Sequence, residues 1–209
     1  MNGEPRNDIH SGNYSGGFRN PVFDAQGVFR IVLDALARPG TILPLDPRTK
    51  PPRELPPLAA DILCALVDPD TSIFLCPSLA RAAGTADWLR FQTGAPLVKT
   101  PADADFAVAA NPEDLPPLTQ FGPGTSDYPD RSATVIVAVS GFAGGMPVAL
   151  SGPGIKERQP FSPNGVSAAV WQQLIANHGL YPRGIDVIFV SREAVAGLPR
   201  STAIEIGEA

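Results

Sequence analysis

The sequence predicts an α/β protein, a three-layer α/β/α sandwich around a mixed central sheet. Three observations point there. Residues 133–139 (ATVIVAV) and 185–190 (IDVIFV) are apolar, mostly β-branched, at almost every position. Side chains alternate between faces along a strand, so such a run needs cover on both sides. Segments with apolar residues at helical spacing interleave with these short runs. A glycine-rich segment, 140–145, follows the first run, and 146–150 reads as the returning strand of a hairpin, which excludes a wholly parallel sheet.

Each element has its own signal. In 21–39, Asp24 is placed to cap a helix whose Val28, Phe29, Val32, Ala35 and Leu36 share helical spacing. Pro39 disfavours the α conformation at Arg38, so this helix is expected to stop near Ala37. Residues 41–45 are a short extended piece, and 46–57 (DPRTKPPRELPP) is a proline-rich surface loop. A second core helix is expected over 58–67 and a strand over 72–76. Short helices follow at 78–83 and 85–93, the latter capped by Thr85 and ended by Gly94. Residues 105–110 form another strand, and 111–131 a long Pro/Gly-rich loop, the kind of segment that binds partners. A third amphipathic helix spans 164–178, and the alternating 202–206 (TAIEI) lies near an edge.

Composition narrows the function. A chain of 209 residues supports one good core, taken as a single domain over 21–209 behind a polar arm, 1–20, expected to be disordered. No apolar run approaches the ~20 residues of a membrane helix, and no signal peptide opens the sequence. The net charge of −5 argues against a nucleic-acid partner. Cys64 and Cys76 read as buried free thiols in a reducing cytoplasm.

Catalytic signals are sparse. There is no Walker loop and no GxGxxG after a strand. Two histidines, His10 in the arm and His178 at a helix end, with two cysteines do not make a zinc site, so no metal is expected. Ser151 lacks the upstream glycine of a GxSxG elbow. Lys50, Lys99 and Lys156 are the only lysines, and none sits where a pyridoxal phosphate Schiff base needs support, so no cofactor is expected. The loop 151–155 (SGPGI) is the candidate anion site, through Ser151, Gly152, Gly154, Lys156 and Arg158, with Arg200 as a further cation. Pro153 offers no amide, and a structural turn is the competing reading.

Six blocks occur in order: FRIVLDALARPG (29–40), TSIFL (71–75), FQTGAP (91–96), LSGPGI (150–155), GIDVIF (184–189) and LPRST (198–202). Together they resemble PhnH, the H subunit of the bacterial carbon–phosphorus lyase system. The resemblance implies a fold like that of the pyridoxal phosphate-dependent transferases, without the cofactor. It implies a homodimer alone and a core complex with G, I and J subunits. With the L subunit, the G, H and I proteins displace adenine from ATP with a phosphonate, giving α-D-ribose 1-methylphosphonate 5-triphosphate. The I subunit is thought to carry that step, and J cleaves the C–P bond. No catalytic residue is carried over. Two other functions stay open: an independent nucleotide- or phosphate-binding transferase using 151–158 or Arg200, and a structural partner in another pathway. Trp88, Phe91, Phe121 and Tyr128, in 85–96 and 120–131, are the expected anchors of a subunit contact.

Overall fold

The interleaved helical and strand signals become five α-helices and ten strands among residues 14–207, which the computed structural model describes. They run α1 (Pro21–Ala37), β1 (Leu43–Pro44), α2 (Pro57–Leu66), β2 (Ile73–Leu75), α3 (Pro77–Arg81), α4 (Thr85–Thr93), β3 (Leu97–Val98), β4 (Phe106–Ala109), β5 (Thr134–Ala138), β6 (Val148–Ser151), β7 (Gln159–Phe161), α5 (Ala168–His178), β8 (Asp186–Val190), β9 (Ala194–Leu198) and β10 (Ala203–Ile206). The long loop 111–131 carries three one-turn 3-10 helices, at Pro112–Asp114, Leu118–Gln120 and Pro129–Arg131.

A seven-stranded sheet has the order β1-β9-β8-β5-β4-β2-β3. Its centre, β8 to β3, is parallel; β9 runs antiparallel to β8, and β1 antiparallel to β9. Alternation along the strands feeds two cores. Val108, Ile136, Ile188 and Val190 face the one beneath α1, α2 and α4. Ala107, Val135, Val137, Val187 and Phe189 face the other, which holds Trp171 and Leu174 of α5 and residues of a small second sheet. Burying a side chain such as Phe189 or Ile136 contributes about 1.5–3 kcal/mol. The mixed central sheet covered on both sides agrees with the sequence reading.

The expected hairpin does not form. β6 leaves β5 and pairs antiparallel with β10 and β7 in a three-stranded sheet. Burial explains it: β5 is buried at three successive central positions, whereas β6 alternates between buried and half-buried. A strand with one apolar face suits a sheet packed on one side only. The main sheet is mixed because of β9 and β1 instead. β9 (AVAGL) escaped the sequence reading; a Cβ on its Gly197 would lie 2.6 Å from the Ala35 carbonyl oxygen, so glycine there lets α1 pack directly on the strand.

The arm reading fails over 14–20. The Gln92 side chain donates to the Tyr14 carbonyl (2.7 Å), and the Trp88 Nε1–H to that of Ser15 (2.8 Å). The Lys50 amide donates to the Gly16 carbonyl, and Phe18 packs against the α1–α2 core. Residues 1–13 lie outside the described residues. α1 begins at Pro21 with Asn20 as its cap residue; Asp24 sits one turn in, where its carboxylate accepts the Asn20 amide (2.9 Å). That bond, with Arg48 nearby, holds the Asp24 carboxyl below its usual range despite some desolvation. Among the described residues, no helix is long and apolar enough to cross a membrane.

Candidate functional site

The loop after β6 is shaped by packing. Gly152 and Gly154 have φ of +128° and +82°. A Cβ on Gly154 would stand 2.1 Å from the Ala37 carbonyl oxygen, and one on Gly152 3.0 Å from that of Ser201. The loop is therefore pressed between the last turn of α1 and the turn 199–202. The Ile155 amide donates to the Gly152 carbonyl (3.1 Å), and Pro153 has no amide. The helix end beside it is the carbonyl end, which carries partial negative charge. These features favour a structural turn over an anion cradle.

Next to the loop, Pro39, Thr41, Gly154, Ile155, Lys156, Glu157, Arg158 and Gln159 line an open polar depression of about 300 Å³. Its cations are partly matched: Arg158 pairs with Glu205 of β10 (2.8 Å), and Glu157 stands between the two basic residues. Of the sequence candidates, Gly154, Lys156 and Arg158 thus come together at this depression, with Arg158 matched by Glu205, whereas Ser151 and Gly152 are not among its lining residues.

Arg200 is engaged elsewhere. Its guanidinium pairs with Asp186 at the start of β8 (3.1 Å) and donates to the Gly184 carbonyl (2.9 Å), the Pro129 carbonyl and the Ser132 hydroxyl. Its backbone amide donates to the same Asp186 carboxylate (2.8 Å). The arginine clamps the entry to β5 against the entry to β8, leaving little of the guanidinium for a ligand. His178, in the last turn of α5, lies with Nδ1 2.9 Å from the Arg200 carbonyl oxygen, so Nδ1 carries the donated hydrogen.

The four aromatic candidates divide. Trp88 and Phe121 are core residues, 1% and 2% exposed, enclosed by their own chain and unable to anchor a partner. Phe91 and Tyr128 are 63% and 52% exposed. Phe91 packs its ring 4.9 Å from that of Tyr14, and Arg131 sits 4.3 Å over the Tyr128 ring.

Sequence reasoning missed a cleft of about 420 Å³ beyond the carboxyl ends of β4 and β5, with Asn111, Glu113, Ser140 and Asn164 among its lining residues. Ligands of parallel sheets gather at that edge, but the strand order that reveals it is absent from the local pattern. A second cavity, about 260 Å³ and mostly apolar, lies between Leu118, Phe121 and the α5 residues Gln173 and Ala176. Among the described residues no three His, Cys, Asp or Glu side chains gather to hold a metal ion. Burial pushes both thiols, Cys64 and Cys76, up to about 12, assisted by Asp61 and Asp114 respectively, so neither is a ready nucleophile.

Known proteins match this sequence along nearly the full chain. A Rhizobium meliloti (strain 1021) protein named alpha-D-ribose 1-methylphosphonate 5-triphosphate synthase subunit PhnH is 40% identical over 192 residues, covering 92% of this chain and 96% of the relative. A Stutzerimonas stutzeri protein named putative C-P lyase subunit protein HtxG is 30% identical over 182 residues, covering 87% and 86%. The family model described as bacterial phosphonate metabolism protein (PhnH) matches residues 16–205. The chain belongs to the PhnH family of bacterial phosphonate metabolism proteins.

Proposed function

We propose that this chain is the H-type subunit of a carbon–phosphorus lyase system. It serves the synthase that makes α-D-ribose 1-methylphosphonate 5-triphosphate from ATP and a phosphonate. The carrying observation is the end-to-end match: the relative named as that synthase subunit is 40% identical over 92% of this chain. In this reading the chain works in the cytoplasm, as a homodimer when free, and joins G, I and J subunits in the complex, meeting L indirectly. It acts by contacts and carries no catalytic centre of its own. The engagement of Arg200 and the partial neutralisation around Lys156 and Arg158 support that part. The same reading carries a fold like that of the pyridoxal phosphate-dependent transferases without the cofactor. It draws support from the parallel sheet centre and from Lys50, Lys99 and Lys156 all being surface side chains.

A bacterium lacking its own H subunit and supplied with methylphosphonate as sole phosphorus source tests the proposal. Expression of this chain is expected to restore growth, while the purified chain alone releases no adenine from ATP and methylphosphonate. Failure to restore growth beside a functioning control would overturn the subunit reading. Adenine release by the chain alone would favour the independent transferase.

A further inference from the structure

α1 has two apolar faces, and its own core covers one. Val28, Val32 and Ala35 are buried against α2 and β9. On the other side, Val22, Phe29 and Leu33 are 75%, 48% and 56% exposed, with Gln26 between the first two and half-buried Leu36 at the end. The order 22, 26, 29, 33, 36 steps by 4, 3, 4 and 3. This is the seam spacing by which one helix packs along another, and a single polar member is how such seams fix register. Exposed Phe23, next to Val22 on the helix, adds to the apolar surface. Scattered apolar residues on a surface need no explanation, but a continuous stripe along a helix marks a docking face.

The charges beside the stripe say what kind of helix fits. The acids of α1 are already paired, Asp24 with Arg48 (3.0 Å) and Asp34 with Arg38. Arg30, exposed on the flank, and Arg19, just before the helix, make no ion pair among the described residues. A second copy of α1 brings them no free carboxylate. We infer that this face of α1 docks an amphipathic helix with an acidic flank, supplied by a different subunit of the assembly. The inference rests on the chain being a synthase subunit.

The test co-expresses the chain with the other subunits of its own synthase and measures complex formation by light scattering after size exclusion. Phe29→Glu and Leu33→Glu change exposed positions, so both are expected to melt like the wild type and to lose association at least tenfold. Arg30→Glu is expected to weaken association less, and higher salt to weaken that of the wild type. A photo-crosslinking amino acid replacing Gln26 is expected to capture an acidic helical segment of another subunit. If the wild type assembles and the α1 variants assemble equally, the inference fails while the subunit reading stands. A wild type that stays apart from those subunits overturns both. Crosslinks to a second copy, or to residues 1–13 of the same chain, would give the face to those occupants and overturn the assignment.

Discussion

Asp61 is fully buried in α2, yet none of its carboxylate bonding comes from its own helix. It accepts the backbone amides of Arg48 (2.8 Å) and Thr49 (2.8 Å) and the Thr49 hydroxyl (2.6 Å), pinning the proline-rich 46–57 segment to the helix. Burial raises its pKa, with the Thr49 and Arg48 donors pulling the other way and losing. A carboxyl raised in the fold contributes stability below the unfolded carboxyl range, about 3.9, and loses it as pH rises through the folded value. Stability measured by urea unfolding is therefore expected to fall over that window in the wild type. Asp61→Asn is expected to flatten this dependence and, at neutral pH, to cost about 1–3 kcal/mol by turning an amide N–H toward backbone donors. An Asn variant as stable as the wild type at neutral pH would show that the donors find other acceptors. Sequence pattern gave no sign of this role: Asp61 sits between Ala60 and Ile62 in an apolar helix, and its partners lie twelve and thirteen residues upstream.

At the scale of elements, local signals were legible wherever one residue type decides a boundary. α1 ends at Ala37, before Pro39, and α4 ends at Thr93 with Gly94 left-handed after it, both as the pattern requires. The cap residue of α4 is Gly84, however; Thr85, read as the cap, is the first helical residue and makes no capping bond. The doubly buried β5 and β8 were equally plain, since only a central strand tolerates apolar residues on both faces. Partner choice was not legible. Nothing local says that β6 joins β10 or that β9 fills the antiparallel place beside β8, because those pairings are set by packing between distant segments. Arg200 shows the same limit: a free cation by sequence, it is the clamp between the 129–132 turn and β8 in the fold. Breaking a buried, hydrogen-bonded ion pair costs about 3–5 kcal/mol, and Arg and Lys differ at a forked site. This pair keeps some solvent contact, 17% and 19% exposed, so a loss nearer 2 kcal/mol is expected for Arg200→Ala, given screening. Arg200→Lys is expected to recover little of it. Hydrogen exchange should quicken over residues 123–132 and leave α1 unchanged; uniform quickening across the chain would assign Arg200 to global stability rather than to this clamp.

For the whole molecule, the question is which surface joins which partner. Trp88 and Phe121 are withdrawn into the two cores, so the expected self-association through 85–96 and 120–131 now rests on Phe91 and Tyr128. Both are held in place before any partner arrives, Phe91 by Tyr14 and Tyr128 by Arg131, which lowers the ordering cost of burying them. The α1 stripe is made of other residues, with Arg19 and Arg30 beside it outside every ion pair among the described residues. If the two faces serve different partners, mutations should divide by assembly. In sedimentation equilibrium the free chain is expected to be a dimer. Truncating a central interface aromatic costs about 2 kcal/mol, more than the 1.4 kcal/mol of a tenfold change in affinity. Phe91→Ala and Tyr128→Ala should each weaken the dimer by over tenfold, whereas Phe29→Glu should leave it intact and fail only with the other subunits. A monomeric wild type, or alanine variants that dimerise unchanged, would remove these aromatics from self-association; a dimer broken by Phe29→Glu would place both functions on α1.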